Sequence, residues 1–436
     1  MYIVNSFLRS TFSNLINEFN YKEDWKEIFK HWQKDLLAGI TVGIVALPLA
    51  LGFAITTGAP PSAGLTTAII AGFIAALFGG SNFQVSGPTG AMTVILVPIV
   101  SKYGLSALVP VGLLAGLLII ALALFRIGRF IDQVPWSVME GFTLGIAVII
   151  ALQQIPLILE VPKADGSHTI NVSIETISKA MQTGFNWSSI FLVASTLLVK
   201  WSWPRLKQFL RLDIHIPASI VAVVLISLFN QVFQFDVKLI GELPRSLNLD
   251  MNIDLAGLPW AGLVYAAVIV ALLSAIESLL SARVADGLAH KEIDHEQRRH
   301  QPNKELLGQG LANIASAISG GLPATGAIAR TSVNVRSGAR TRFAAMIHAL
   351  FLLLVVFMLA PLVSYIPTAV LAGVLLGTSL RIANPRSIKE ALTTVRSEAV
   401  TYLITATAVV AIDLIWGIII GIAANLAFKH VKRWKV

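Results

Sequence analysis

The chain contains no cysteine, which excludes a disulfide framework and any thiolate metal site. Charge is scarce too. Asp, Glu, Lys and Arg make up 13% of the 436 residues, against 55% hydrophobic, and mean hydropathy is +0.75. That balance excludes a soluble domain of this size. Repeated apolar runs long enough to cross a bilayer, ~17–25 residues each, read instead as a multi-span membrane protein. The first 34 residues lack the basic, apolar, small-residue order of a cleavable signal peptide, and none is expected. No Walker motif occurs, so an ATP-driven pump is excluded. His295 and His300 lack a third ligand at zinc spacing, and no metal site is expected.

A net charge of +9 would suit nucleic acid if the basic residues formed one patch, but they sort by loop. Candidate spans are 35–53, 63–79, 87–100, 106–125, 137–158, 187–199, 215–233, 259–282, 306–319, 326–337, 343–360, 366–380, 398–412 and 414–428. With the N-terminus inside, 27 of the 33 basic residues fall on the inner side and 5 on the outer, Arg330 lying within a span. The positive-inside rule then puts both termini in the cytoplasm. The partner implied is the lipid bilayer, not nucleic acid.

Spans 1–7 (35–233) and spans 8–14 (259–430) form two halves joined by a polar linker at 234–258. An odd number of spans per half inverts one relative to the other. The expected fold is therefore an all-α membrane protein of 14 segments in a seven-plus-seven inverted repeat, suited to alternating access. The N-terminal segment 1–34 is expected in the cytoplasm. Within it Phe7, Leu8, Phe12, Leu15, Ile16 and Phe19 fall at helical spacing, which suits a surface helix. Residues 160–186 read as the largest outer loop, and 283–305 as a charged, solvated inner one.

Two stretches interrupt the apolar pattern. Ser86-Gly87-Pro88-Thr89-Gly90-Ala91 is too polar and too broken to start an ordinary membrane helix. Leu322-Pro323-Ala324-Thr325-Gly326-Ala327 repeats its Thr-Gly-Ala 236 positions later, and each follows a Gly-Gly pair. Irregular backbone at membrane depth is tolerated only where it is buried or lines a cavity. Paired interruptions at matching positions of two halves point to a transporter's binding site. Spans 3 and 10 thus read as half-helices that Thr89 and Thr325 begin, whose N-terminal N–H groups and dipole ends favour an anion.

Few charges lie deep in apolar runs, so each is informative. Glu277 sits mid-span with Ser274, Ser278 and Ser281 on its helix face. An unpaired, ionised carboxylate there is costly. It is either protonated part of the time, neutralised by a cation, or fixed in an ion pair with Arg330. Arg330, one turn into the second half-helix, could set positive charge beside an anion. Phe53 reads as packing or ligand contact, His348 as a hydrogen-bonded helix-contact residue, Asp413 as a solvated turn, and the glycines of 72–80 as close helix packing.

Leu47-Pro-Leu-Ala-Leu-Gly-Phe53, Gly58-Ala-Pro-Pro-Ser-Ala-Gly-Leu65, Val85-Ser-Gly-Pro-Thr-Gly90, Ala275-Ile-Glu-Ser-Leu-Leu280, Glu305-Leu-Leu-Gly-Gln-Gly-Leu-Ala-Asn313 and Ala327-Ile-Ala-Arg330 together resemble the SulP family of anion transporters. That family includes sulfate permeases, cyanobacterial bicarbonate transporters, a bacterial C4-dicarboxylate transporter, pendrin and prestin. The resemblance covers residues 35–430. It implies a core of spans 1–4 and 8–11 that moves against a gate of spans 5–7 and 12–14. It also implies an anion site between spans 3 and 10, with contributions from spans 1 and 8.

Substrate binding is accordingly assigned to Phe53, Thr89, Gly90, Ala91, Thr325, Gly326, Ala327, Ala329 and Arg330, and ion coupling to Glu277 and Ser281. The expected activity is secondary active transport of sulfate, bicarbonate or a C4-dicarboxylate, with a co-transported proton or sodium ion and no cofactor. A sodium-coupled bicarbonate symporter and an anion channel or exchanger are the alternatives. Sodium-coupled relatives carry Asp where Glu277 stands, whereas proton-coupled relatives resemble this chain. Relatives usually continue into a cytoplasmic STAS domain; 431–436 is expected to be a cytoplasmic tail without one, and a homodimer is an open partner reading. The membrane is expected to be the inner (plasma) membrane.

Overall fold

The structure, a computed structural model, describes residues 21–131, 134–166, 168–209, 211, 217–243, 259–289 and 299–433. The expected surface helix over 7–19 lies outside the described residues. So do 244–258 of the linker, 290–298 of the charged inner segment and 434–436 of the tail.

In chain order the main elements are α1 Tyr21–Thr57, α2 Pro61–Phe78, β1 Ser86–Gly87, α3 Gly90–Tyr103, α4 Leu108–Leu124 and α5 Trp136–Gln153. There follow α6 Thr169–Thr183, α7 Trp187–Phe209, α8 Ala218–Phe233, α9 Trp260–Leu288, α10 Pro302–Ile318, β2 Thr325–Gly326 and α11 Ile328–Arg336. The last are α12 Phe343–Ser364, α13 Thr368–Ile382, α14 Pro385–Thr393, α15 Arg396–Ala411 and α16 Leu414–Arg433. A helix occupies most of each expected apolar segment. By length and composition, 6 helices among the described residues suffice to cross a membrane.

Three expectations change. The all-α reading gains a two-stranded antiparallel ribbon. The outer loop at 160–186 contains a helix, α6, whose alternating buried and exposed positions a hydropathy window averages away. Helices α7 and α9 run past the apolar limits of their spans, to Phe209 and Leu288, because backbone hydrogen bonding continues where the sequence turns polar.

The chain clusters into two compact units, and neither is a sequence half. Unit 1 comprises 1–132, 215–217 and 242–363; unit 2 comprises 133–214, 218–241 and 364–436. In unit 1, α4 packs on α10 through small residues. A Cβ at Gly116 would lie 2.7 Å from the Gly310 carbonyl oxygen, and one at Gly308 would lie 2.5 Å from the Gly79 Cα. Such close backbone approach is how helices associate where lipid removes the hydrophobic drive between them. Gly72 of α2, and Gly79 and Gly80 just beyond it, pack closely, as expected of 72–80. That helix also carries a π-helical turn at Thr67–Ala71. There the Thr67 hydroxyl accepts a hydrogen bond from Leu322 N (2.6 Å), drawing in the chain ahead of β2.

Both half-helices are short and end alike. Helix α3 stops at Gly104 (φ 79°) and α11 just before Gly338 (φ 96°). At positive φ a side chain would be strained, so glycine releases the helix at little cost.

A buried carboxylate holds the approach to β1. Glu305 of α10 is 1% exposed. Its Oε2 accepts from Gly80 N (2.9 Å) and Ser81 N (3.0 Å), and its Oε1 from the amides of Gln84 (2.6 Å) and Gln309 (3.1 Å). Glu305→Ala strands these buried donors at ~1–3 kcal/mol for each left unsatisfied. The melting temperature in detergent should fall well below that of Glu305→Gln, which keeps an acceptor oxygen. Equal melting temperatures would show that Glu305 holds nothing.

Candidate functional site

The ribbon brings the two interruptions together. Ser86 pairs with Gly326 and Gly87 with Thr325, and Ala327 N donates to the Val85 carbonyl at 2.9 Å. With antiparallel strands each feeding its own half-helix, the N-termini of α3 and α11 flank one short ribbon. A Cβ at Gly326 would meet the Gln84 amide, so a side chain there would have to displace Gln84 from its bond to Glu305.

Helix α9 runs alongside and pins β2. Ser274 Oγ donates to the Ala324 carbonyl (2.9 Å), and Ser278 Oγ accepts from Gly326 N (3.0 Å) while lying 3.0 Å from Thr325 Oγ1. Ser281 Oγ donates to Thr331 Oγ1 (3.0 Å), which also accepts from Val85 N (3.0 Å). The serines flanking Glu277 therefore serve the ribbon and α11.

Glu277 faces the other half-helix. Its Oε2 accepts a hydrogen bond from Thr89 Oγ1 at 2.9 Å, and the same oxygen of Thr89 accepts from Met92 N at 3.2 Å. One hydroxyl thus caps α3 and donates to the buried carboxylate. Thr89 behaves as an N-cap, its backbone extended (φ −127°, ψ 162°). Its expected counterpart does not: Thr325 lies within β2, and α11 is capped by Ala327, which has no side-chain oxygen. The shared Thr-Gly-Ala is therefore offset by two residues relative to the two helix starts.

Arg330 stands in the first turn of α11 rather than one turn in, and is 1% exposed. One Nη donates to the Pro88 carbonyl at 2.5 Å, while Nη1 has no hydrogen-bond partner. The guanidinium lies within electrostatic range of Glu277 without forming a direct ion pair, so the fixed-pair alternative does not hold. A buried cation with an uncommitted donor can receive an oxyanion.

The remaining assigned residues fall into two groups. Gly90 and Ala91 form the first turn of α3, and Ala329, half-buried, sits in the first turn of α11. Phe53 is buried near the end of α1, a helix that packs against both α3 and α11, but no polar contact ties it to the ribbon. His348 is fully buried, yet neither ring nitrogen has a hydrogen-bond partner, contrary to the expected bonded contact. Asp413 is exposed, as expected, and accepts from Trp416 N at 2.8 Å.

Several site-forming residues carry no single-residue signal. Gln84, Glu305, Gln309 and Asn313 form a polar seam behind the ribbon. Gln309 donates to the Ser86 hydroxyl, and Asn313 exchanges two bonds with Ala324, at 2.9 Å each. Asn334 donates to the Phe83 carbonyl (2.8 Å). The available clue was spacing: Glu305, Gln309 and Asn313 recur every four residues, hence on one helix face.

Two broken helices meeting beside a buried carboxylate, in so apolar a frame, define a membrane transport protein rather than an enzyme. Residues 32–405 match the sulfate permease family. YvdB of Bacillus subtilis (strain 168), named for sulfate transport, is 35% identical over 405 residues, 92% of this chain and 73% of that protein. The bicarbonate transporter BicA of Picosynechococcus sp. (strain ATCC 27264 / PCC 7002 / PR-6) is 32% identical over 361 residues, 79% of this chain and 61% of that protein. The solved transmembrane domain of a cyanobacterial BicA superposes with a TM-score of 0.78 at 29% identity, covering 91% of this chain and 98% of that one. The chain belongs to the sulfate permease family, the one its motifs resemble.

Thr89→Val removes the cap and the donor to Glu277 together. Stability should drop by the usual ~0.5–2 kcal/mol of a lost N-cap, and apparent affinity for sulfate or bicarbonate should weaken. Thr89→Ser, which keeps the hydroxyl, should retain both. Calorimetric titration of the purified variants checks this; unchanged affinity in Thr89→Val would remove α3 from the site.

Proposed function

We propose that the chain is a secondary active importer of a small anion, an inorganic oxyanion such as sulfate or bicarbonate or a small carboxylate, coupled to proton entry. The supporting observation is the Thr89 hydroxyl shared between Glu277 and the N-terminus of α3. Protonating Glu277 turns a charged acceptor into a neutral one, which weakens that hydrogen bond and so alters the helix end that faces the anion. Arg330, anchored on one side and open on the other, supplies positive charge. Two half-helix ends and one guanidinium attract an anion without enclosing it in full counter-charge, so it can also leave.

The movement that exposes the site to each side is assigned to unit 1, the core of spans 1–4 and 8–11, shifting against the gate spans of unit 2 in an elevator or rocking motion. Fourteen spans in a seven-plus-seven inverted repeat are part of the same reading, which the likeness to the cyanobacterial bicarbonate transporter's transmembrane domain supports. The charge sorting supports a cytoplasmic placement of both termini, and the membrane in this reading is the plasma membrane. A passive channel has no use for a buried carboxylate at the helix end, which favours coupling.

In proteoliposomes, uptake of labelled anion should rise as external pH falls and should need no sodium. Glu277→Gln, fixed in the neutral form, should lose accumulation against a gradient while keeping part of its exchange down one. Each net charge moved is worth ~2.3 kcal/mol per 100 mV. Symport of a proton with a monovalent anion should therefore ignore membrane potential, and with a divalent anion an inside-negative potential should oppose it. Strict sodium dependence at constant pH would replace the proton reading with the sodium-coupled one.

Arg330→Ala should reduce affinity for a divalent anion more than for a monovalent one, because Coulomb attraction scales with charge. Equal losses in competition assays with sulfate and bicarbonate would make Arg330 a strut for Pro88.

A further inference from the structure

Helix α6, Thr169–Thr183, divides into three faces. Val172, Ser173, Thr176 and Ala180 are buried within unit 2. Thr176 Oγ1 accepts from Ala164 N (3.1 Å), and the Ser173 hydroxyl, bonded to the Thr169 carbonyl of its own helix (2.7 Å), lies 3.3 Å from the Leu152 carbonyl. Beside this face runs an apolar stripe of Ile170, Ile174, Ile177 and Met181, spanning about 60° of arc at 3.6 residues per turn. Ile174 is 62% exposed, Ile177 40% and Met181 78%. The remaining arc is polar and exposed: Asn171, Glu175, Ser178, Lys179 and Gln182. Across it Glu175 and Lys179 pair at 3.0 Å. A helix in water has no reason to separate a bare apolar stripe from a polar arc.

The surroundings identify what covers the stripe. Helix α6 joins the end of one apolar helix, 136–159, to the start of another, α7. Immediately after it Phe185 and Trp187 meet edge to face at 4.9 Å, and Trp187 is 72% exposed. Phe191 at the start of α7 contacts Phe229 of α8 (6.1 Å) and Phe235 just beyond it (5.8 Å). Asn186 Nδ2 ties this rim together, donating to the Asp236 carbonyl (2.7 Å) and to Glu160 Oε2 (3.0 Å). The rim lies at the opposite end of α7 from the basic residues of 200–211. Exposed aromatics gathered at one end of apolar helices mark the membrane–water boundary. A helix at that level with separate polar and apolar faces suits the interface plane.

We propose that α6 lies flat in the headgroup region of the leaflet at this rim, with Ile170, Ile174, Ile177 and Met181 against lipid acyl chains and the Glu175–Lys179 arc in water. The polar arc carries a matched pair rather than a basic cluster. Attachment is therefore apolar, and zwitterionic lipid suffices. The placement holds whichever anion or coupling ion the transporter uses.

The cysteine-free sequence permits a direct test. Single-cysteine variants Ile174→Cys, Ile177→Cys, Met181→Cys, Asn171→Cys and Gln182→Cys carry an environment-sensitive fluorophore in phosphatidylcholine vesicles. All five positions are exposed, and anion uptake by each variant verifies folding. Lipid bearing a nitroxide high on its acyl chain should quench the labels at 174, 177 and 181 severalfold more than those at 171 and 182. Their emission should be blue-shifted, and aqueous iodide should give the reverse order. Adding anionic lipid should leave the pattern unchanged. Iodide reaching 177 and 181 as readily as 182 would overturn the placement. So would shielding of 177 and 181 from both quenchers, which would show a protein surface, such as a second copy of the chain, covering the stripe.

Discussion

A hydroxyl group has one proton to donate, and in Thr89 it goes to the Glu277 carboxylate while the oxygen caps α3. That single constraint orders much of unit 1. Helix α9 must lie where Glu277 meets the start of α3, and the ribbon must hold α3 at that distance. The serines of α9 satisfy the second requirement by binding Ala324, Thr325, Gly326 and Thr331. One helix therefore fixes one half-helix through a titratable group and the other through neutral ones.

Behind the ribbon the polar seam of Glu305, Gln309 and Asn313 serves a different need. A strand of two residues at membrane depth cannot satisfy its own flanking backbone, and lipid offers no substitute. Glu305 takes up Gly80 N and Ser81 N, and Asn313 takes up both backbone groups of Ala324. Small residues at Gly79, Gly308, Gly116 and Gly310 let the helices carrying these groups come close enough to do so.

The helical segments and the two interruptions were legible in the sequence because hydropathy and chain breaks are local signals. The ribbon was not, since Ser86 and Gly326 are far apart in sequence and a two-residue strand leaves no alternating pattern. Thr325 reads as a helix start because it shares its tripeptide with Thr89. The repeat preserves the tripeptide but offsets the helix, and only the backbone trace reveals that. Arg330 was legible as a charge within a span, whereas its uncommitted Nη1 depends on where the Pro88 carbonyl falls. Helix α6 is not legible in the sequence because its buried face is built largely from small and polar residues, Ser173, Thr176 and Ala180. Those residues look like loop until the faces are separated.

In the proposed mechanism anion binding and the protonation of Glu277 are linked through Thr89. Linkage of this kind is reciprocal: if a proton on Glu277 favours the anion, the anion must favour the proton. Adding sulfate or bicarbonate to weakly buffered, purified protein, with a pH indicator in solution and buffer blanks subtracted, measures it directly. The account predicts proton uptake that saturates with anion binding in the wild type and is absent in Glu277→Gln. Saturable anion binding with no proton uptake, or the same uptake in both proteins, would contradict it.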